Sequence, residues 1–160
     1  MARSKGNYFE PVPGAPVPLS VTVRRHVSFS EVDAMGIVWF GRYAGFCEAA
    51  AEELGRQCGL SYRDFFAANL RAPIVQYHVD YLTQLHLQEE IAITASLMWT
   101  EAARLNTQFA IRSQAGALAA RACTVQLLLD GTTGELCIAT PALLEQCRRR
   151  WRAGEFGDLQ

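Results

Sequence analysis

The hydrophobic period of this chain changes twice, and that change limits its fold more than any other feature. "VTVRRHVSF" alternates, with Val21, Val23, Val27 and Phe29 on one side, which predicts a half-buried strand. From about Gly41 to Arg56 the apolar residues Tyr43, Phe46, Cys47, Ala50 and Leu54 fall at helical spacing, with Arg42, Glu48, Glu52 and Glu53 on other faces. Alternation then returns. "APIVQYHVDYLT" reads as one strand. Ile91, Ile93, Ala95, Leu97 and Trp99 share a face of the next, and Leu105, Thr107, Phe109 and Ile111 share a face of the one after. "ALAARACTVQLLLD" is a long fourth run that enters "DGTTG", a hairpin turn signal from which "ELCIA" is expected to return as a strand. Pro141 then opens a last helix, "PALLEQCRRRW".

One long helix followed by hairpin-linked strands predicts an α+β layer in which a curved antiparallel sheet wraps around the helix. The helix suits that role: Ala44, Gly45, Ala49, Ala50 and Ala51 keep it slim, so neighbouring backbone can come close. Gly55 and Gly59 are expected to stop it, and a short helix over "SYRDFFAAN" follows with Ser61 as its N-cap. A sheet edge left open predicts pairing with a second subunit.

The 160 residues fit a single domain. Pro11, Pro13, Pro16 and Pro18 mark residues 1–20 as an extended or disordered tail, leaving 21–150 as the domain and 151–160 as a C-terminal tail. A net charge of −1 argues against a general nucleic-acid binder. The cysteines Cys47, Cys58, Cys123, Cys137 and Cys147 are odd in number and never at CxxC spacing, which predicts free, mostly buried thiols in a reducing compartment. The first residues lack the apolar core of a signal peptide, and no apolar run reaches the roughly 18 residues of a membrane span. A cytoplasmic location away from the membrane is expected.

The sequence contains no GxSxG elbow, phosphate-binding loop, HExxH or dinucleotide fingerprint. His78 and His86 are not at a metal-ligand spacing, so no metal site is expected. Chemistry instead concentrates in "SEVDAMGIVWFGRYAGFCEAA". Asp33 lies in a turn, Gly36 permits a backbone conformation closed to other residues, and the helix begins near Phe40 or Gly41. A helix N-terminus offers unpaired N–H groups and a partial positive charge, suited to an oxyanion. A carboxylate beside it can act as nucleophile or general base. The plainer reading is that Asp33 only caps its turn.

The segment from Val27 to Ala50 resembles the signature of the 4-hydroxybenzoyl-CoA thioesterase family, which has the hotdog fold. The match lies in Asp33, Gly36, Ile37, Val38 and Trp39, and it extends through "VDYLTQLHLQEEIAI" and "LLLDGTTGELCIATP". The resemblance implies a hotdog domain joined into a homodimer or homotetramer and acting on an acyl-CoA, with CoA as part of the substrate and no separate cofactor. It puts Asp33 at the catalytic carboxylate position and the backbone N–H near Phe40 and Gly41 at the carbonyl-polarising one. Gly36, Ile37, Val38, Trp39 and Tyr43 then border the substrate. Where several relatives carry a histidine or tyrosine, this chain has Phe40, which leaves a backbone donor unaffected. Glu48 falls on an acidic position of the family and reads as mainly structural.

Two other readings stand beside an acyl-CoA thioesterase. A hotdog hydratase or dehydratase needs a histidine such as His78 or His86 to reach Asp33. A non-catalytic acyl-thioester binding protein needs only apolar lining, for which Trp39, Phe40, Tyr43, Phe65 and Phe66 are available. Asp33 separates these, because a passive apolar pocket has no use for a carboxylate. Arg148 to Arg152, Arg104, Arg112 and Arg121 are candidates for CoA phosphates, with no motif to choose among them.

Overall fold

A computed structural model describes residues 7–159. Strand β1 (Leu19–His26) leads through a turn into α1 (Tyr43–Cys58) and a short α2 (Tyr62–Ala67). The strands β2 (Leu70–Arg71), β3 (Ile74–Tyr81), β4 (Glu90–Met98), β5 (Arg104–Arg112), β6 (Leu118–Leu127) and β7 (Leu129–Asp130) follow, and α3 (Ala142–Arg152) closes the order. Five strands form one antiparallel sheet in the order β1-β4-β5-β6-β3.

Register explains why α1 lies where it does. One row across the sheet joins Val21, Ala95, Phe109, Ala122 and Val79, and the next joins Val23, Ile93, Ile111, Ala120 and Tyr81. The alanines of these rows are fully buried, and their small volume admits the Phe46 ring and the Ala50 face of α1. The alternation predicted for β4 is realised in full: Ile91, Ile93, Ala95, Leu97 and Trp99 are all buried against the helix layer. The opposite face is polar, with Ser20, Ser96, Gln108 and His78 in one row.

Two local expectations are corrected. Gly55 does not stop α1; it lies buried within the helix, where a Cβ would stand 2.6 Å from the Leu60 carbonyl oxygen. Gly59 alone is the left-handed C-cap, at φ +78°. "ELCIA" does not return as a strand. Asp130 folds the turn tightly by accepting from the Thr132 and Thr133 N–H groups, and β7 pairs with β2 instead. A bridge from Leu129 to Leu136, with the Asp130 N–H donating to the Glu135 carbonyl and the Cys137 N–H to the Leu128 carbonyl, is what remains of the expected hairpin, and Ile138 is exposed.

The proline-rich segment bends at Tyr8–Phe9, turns at Pro13–Gly14, where the Ala15 N–H donates to the Val12 carbonyl, and forms no helix where it is described; residues 1–6 lie outside the described residues. It is nonetheless packed. The Tyr8 hydroxyl donates to Asp80 at 2.6 Å, Val12 and Ala15 rest on the core, and the Trp151 indole N–H donates to the Val17 carbonyl. Prolines remove ladder donors without preventing side-chain packing. Regular structure accordingly begins at Leu19 and α3 runs to Arg152, with Phe156 and Leu159 also packed on the core.

Candidate active site at the entry to α1

Asp33 opens a small loop whose ends, Val32 and Val38, face each other as an antiparallel bridge. The Asp33 N–H donates to the Ile37 carbonyl at 2.8 Å, and the Gly36 N–H donates to the Asp33 carbonyl at 3.0 Å. Gly36 closes the loop at φ +75°, the conformation that only glycine adopts without strain. The loop is then pinned to its neighbours: the Val38 N–H bonds to Leu85, the Leu87 N–H to Gly36, and the Trp39 N–H to Glu31. Ile37 pairs with His86 as an isolated bridge.

The half-buried Asp33 carboxylate is oriented by this loop. Its Oδ1 accepts from the N–H of Met35 at 2.8 Å and of Ile37 at 3.3 Å. Among the described residues, no protein donor bonds Oδ2. The turn-capping role and the availability of a carboxylate oxygen are therefore both present, on different oxygens of one group.

Beyond the loop, Trp39 is extended, and its carbonyl accepts from the Arg42 N–H, closing a single tight turn over Phe40–Arg42 that continues into α1. Phe40 and Gly41 occupy the first positions of that turn, where no carbonyl lies one turn back to receive their N–H groups. The Trp39 and Phe40 rings meet at 4.9 Å and stay 47% and 65% exposed. A Cβ on Gly41 would fall inside the Trp39 ring, so glycine here lets the indole lie flat against the backbone. The Tyr81 hydroxyl donates to the Phe40 carbonyl at 2.9 Å, and the Tyr81 ring meets the buried Tyr43 ring edge-on. Burial, reinforced by Tyr81, raises the Tyr43 phenol above its ordinary range.

The other expected residues divide clearly. Val38 and Tyr43 are core side chains, buried because the loop and the first α1 turn face the sheet. Ile37 is half-buried, while Gly36 contributes backbone. Glu48 is exposed on α1 and accepts a long bond from Tyr62. Phe65 is core, and Phe66 is exposed beneath the Arg71 guanidinium. Cys47 is buried, and burial pushes its thiol up to about 12, which removes it as a nucleophile. His78 bonds Asp80 on the polar face, and the His86 ring lies by Glu89. Among the described residues no group of three or more metal-ligating side chains forms. No helix among the described residues is long and apolar enough to cross a membrane. Arg148 and Arg152 lie over Trp99 and Arg150 over Phe156, while Arg121 pairs with Asp80 and Arg112 with the Gly116 carbonyl.

Tyr81 is the residue that sequence reasoning missed. Its parity on β3 puts it on the helix side, which was available as a signal; its partner, 41 positions earlier in the chain, was not.

Comparisons with known proteins bear on this geometry. A 1,4-dihydroxy-2-naphthoyl-CoA hydrolase of Thermosynechococcus vestitus is 28% identical over 116 residues, covering 72% of this chain and 79% of the relative. The crystal structure of a DHNA-CoA thioesterase from Staphylococcus aureus superposes with a TM-score of 0.76 at 18% identity, over 86% of this chain and 93% of its own. A second Staphylococcus aureus protein, solved in complex with CoA, superposes at 0.75 with 16% identity, over 92% and 90%. At those identities the structural likeness shows the fold, which is the hotdog arrangement of sheet and helix. The sequence model of the thioesterase-like superfamily matches residues 27–147, and the chain belongs to that superfamily.

Proposed function

We propose that this chain hydrolyses an aromatic acyl-CoA to the free acid and CoA. The observation that carries the reading is the divided carboxylate of Asp33, held through Oδ1 and unengaged at Oδ2, in the loop that leads into α1. The thioester carbonyl oxygen points at the Phe40 and Gly41 N–H groups, which stabilise the negative charge that develops there. Asp33 then either attacks the carbonyl carbon, forming an anhydride that water opens, or takes a proton from water as it attacks. In both routes the C–S bond breaks and the CoA sulfur leaves with the electron pair. Water is the only co-reactant, so no cofactor is required.

The aromatic class rests on Trp39 and Phe40, whose exposed rings border the entry turn, and on Tyr81 beside them. It agrees with relatives named for 1,4-dihydroxy-2-naphthoyl-CoA and with the resemblance to 4-hydroxybenzoyl-CoA thioesterases. Edge strand β3 leaves Ile74, Val75, Tyr77 and Tyr81 exposed, and we place a second copy of the chain against it. The free thiols support a cytoplasmic location. The hydratase reading is less favoured, since the His78 ring bonds Asp80 and the His86 ring lies 3.6 Å from Glu89, neither of them on Asp33.

Thiol release from a panel of aromatic and aliphatic acyl-CoAs tests the proposal. Hydrolysis favouring the aromatic members, abolished in Asp33→Asn, supports it. Failure to hydrolyse any member, or equal activity in the variant, overturns it.

A further inference from the structure

The Phe40 carbonyl and the Gly41 N–H belong to one planar amide, so whatever fixes one fixes the direction of the other. Two side chains grip this amide. The Tyr81 hydroxyl reaches the carbonyl at 2.9 Å from β3, and the Trp39 indole covers Gly41. Tyr81 is itself held by the edge-on contact of its ring with Tyr43, 4.9 Å between centroids. We propose that Tyr81 is a positioning residue: its bond to Phe40 aims the Gly41 N–H at the substrate carbonyl and strengthens it as a donor. The inference rests on the thioesterase reading, and it adds a residue 41 positions away from the loop that carries the family pattern.

The physical basis is cooperative polarisation. When an amide carbonyl accepts a hydrogen bond, electron density shifts toward its oxygen and the N–H of the same group becomes a better donor. Orientation matters as much, because a donor prearranged toward the developing oxyanion requires no reorganisation during reaction. Burial raises the Tyr81 phenol above its ordinary range, so the hydroxyl keeps its proton and remains a donor throughout the neutral range. Loss of this bond weakens binding of the transition state more than binding of the substrate.

Tyr81→Phe removes one oxygen and keeps the ring against Tyr43. The expected result is a fall in kcat of about 10-fold with KM changed by less than about twofold, at unaltered circular dichroism and oligomeric state. A rise in KM with kcat intact would mean that Tyr81 only walls the acyl site, and would overturn the proposal. A second readout is independent of turnover: the Gly41 amide nitrogen resonance of the free protein shifts upfield in Tyr81→Phe. An unmoved Gly41 resonance overturns the proposal even if kcat falls. If wild type hydrolyses no acyl-CoA at all, the thioesterase reading fails by itself, while the Gly41 shift still decides whether Tyr81 controls the amide.

Discussion

The two ends of α1 are built to opposite specifications. At its C-terminal end every local demand is met. Gly59 turns the chain at positive φ and its N–H returns to the Gly55 carbonyl, which also accepts from the Leu60 N–H at 2.8 Å. Gly55, Cys58 and Leu60 are buried, and the next helix starts with a reciprocal cap between Ser61 and Asp64. At the N-terminal end neither Trp39, which opens the tight turn leading into α1, nor Arg42, which precedes α1 itself, makes a side-chain cap. Large aromatic rings stand in solvent there, and the nearby carboxylate keeps one oxygen unengaged. An uncapped helix start forgoes about 1 kcal/mol. The same chain caps α2 fully, whereas α1, like α3, starts without a side-chain cap, and at α1 the bare start stands beside the Asp33 loop.

The comparison breaks most sharply through Asp33. Asparagine keeps an Oδ1 acceptor for the Met35 and Ile37 N–H groups but loses the charge. Asp33→Asn is therefore expected to lower kcat/KM by about 100-fold or more while the melting temperature stays within about 2 °C, because the acceptor that holds the loop is kept and only the charge is lost. A variant that melts much lower would show the carboxylate to be a structural cap. The mirror experiment is Gly55→Ala at the other end. Its Cβ meets the Leu60 backbone, which cannot swing aside, so stability falls by about 2 kcal/mol and the melting temperature by about 4–8 °C. Activity per folded molecule is expected to stay the same, as measured by thiol release below the transition.

These two glycine-and-acid positions also mark what could be read from sequence. Period-two alternation located the strands because burial of one face leaves a trace at every second residue, as in Ile91, Ile93, Ala95 and Leu97. The Asp33 loop was legible because the bonds that shape it are local: its carboxylate accepts from residues within four positions and the Gly36 N–H returns to the Asp33 carbonyl. Gly55 was misread as a stop, since composition does not distinguish a glycine needed for φ from one needed for close approach; that depends on Leu60 folding back. The β2–β7 ladder has two residues per strand, too few to show a period. Tyr8 on Asp80 and Tyr81 on Phe40 join distant segments that no local pattern announces.

A smaller effect sharpens the account of the entry turn. Gly41 does not have positive φ, so alanine suits its backbone and gains up to about 1 kcal/mol of helix propensity. What alanine disturbs is the Trp39 ring, an exposed side chain whose ring meets that of Phe40. Gly41→Ala is expected to leave the melting temperature within about 2 °C and to lower kcat/KM by about 10-fold, through displacement of the indole from the entry turn. Unchanged kinetics would show that the position of Trp39 is irrelevant to the substrate.

The smallest expected effect lies at the satisfied end and depends on pH. Asp64 accepts from both the hydroxyl and the N–H of Ser61, and those bonds, the hydroxyl first, hold its carboxyl below the usual carboxylate range. A carboxylate with a depressed folded pKa contributes stability that is complete above its unfolded value, about 3.9, and is lost as pH falls through the folded value. Asp64→Ala should thus melt lower than wild type at pH 7, by at most about 4 °C for a cap worth up to about 1 kcal/mol. That gap should narrow as the pH drops below about 4, where wild type loses the same charge. Thermal melts of the two proteins from pH 7 to pH 3 measure it. A gap that persists undiminished in acid would mean that the ionised cap contributes nothing, and that close packing around Gly55 holds this end of α1 by itself.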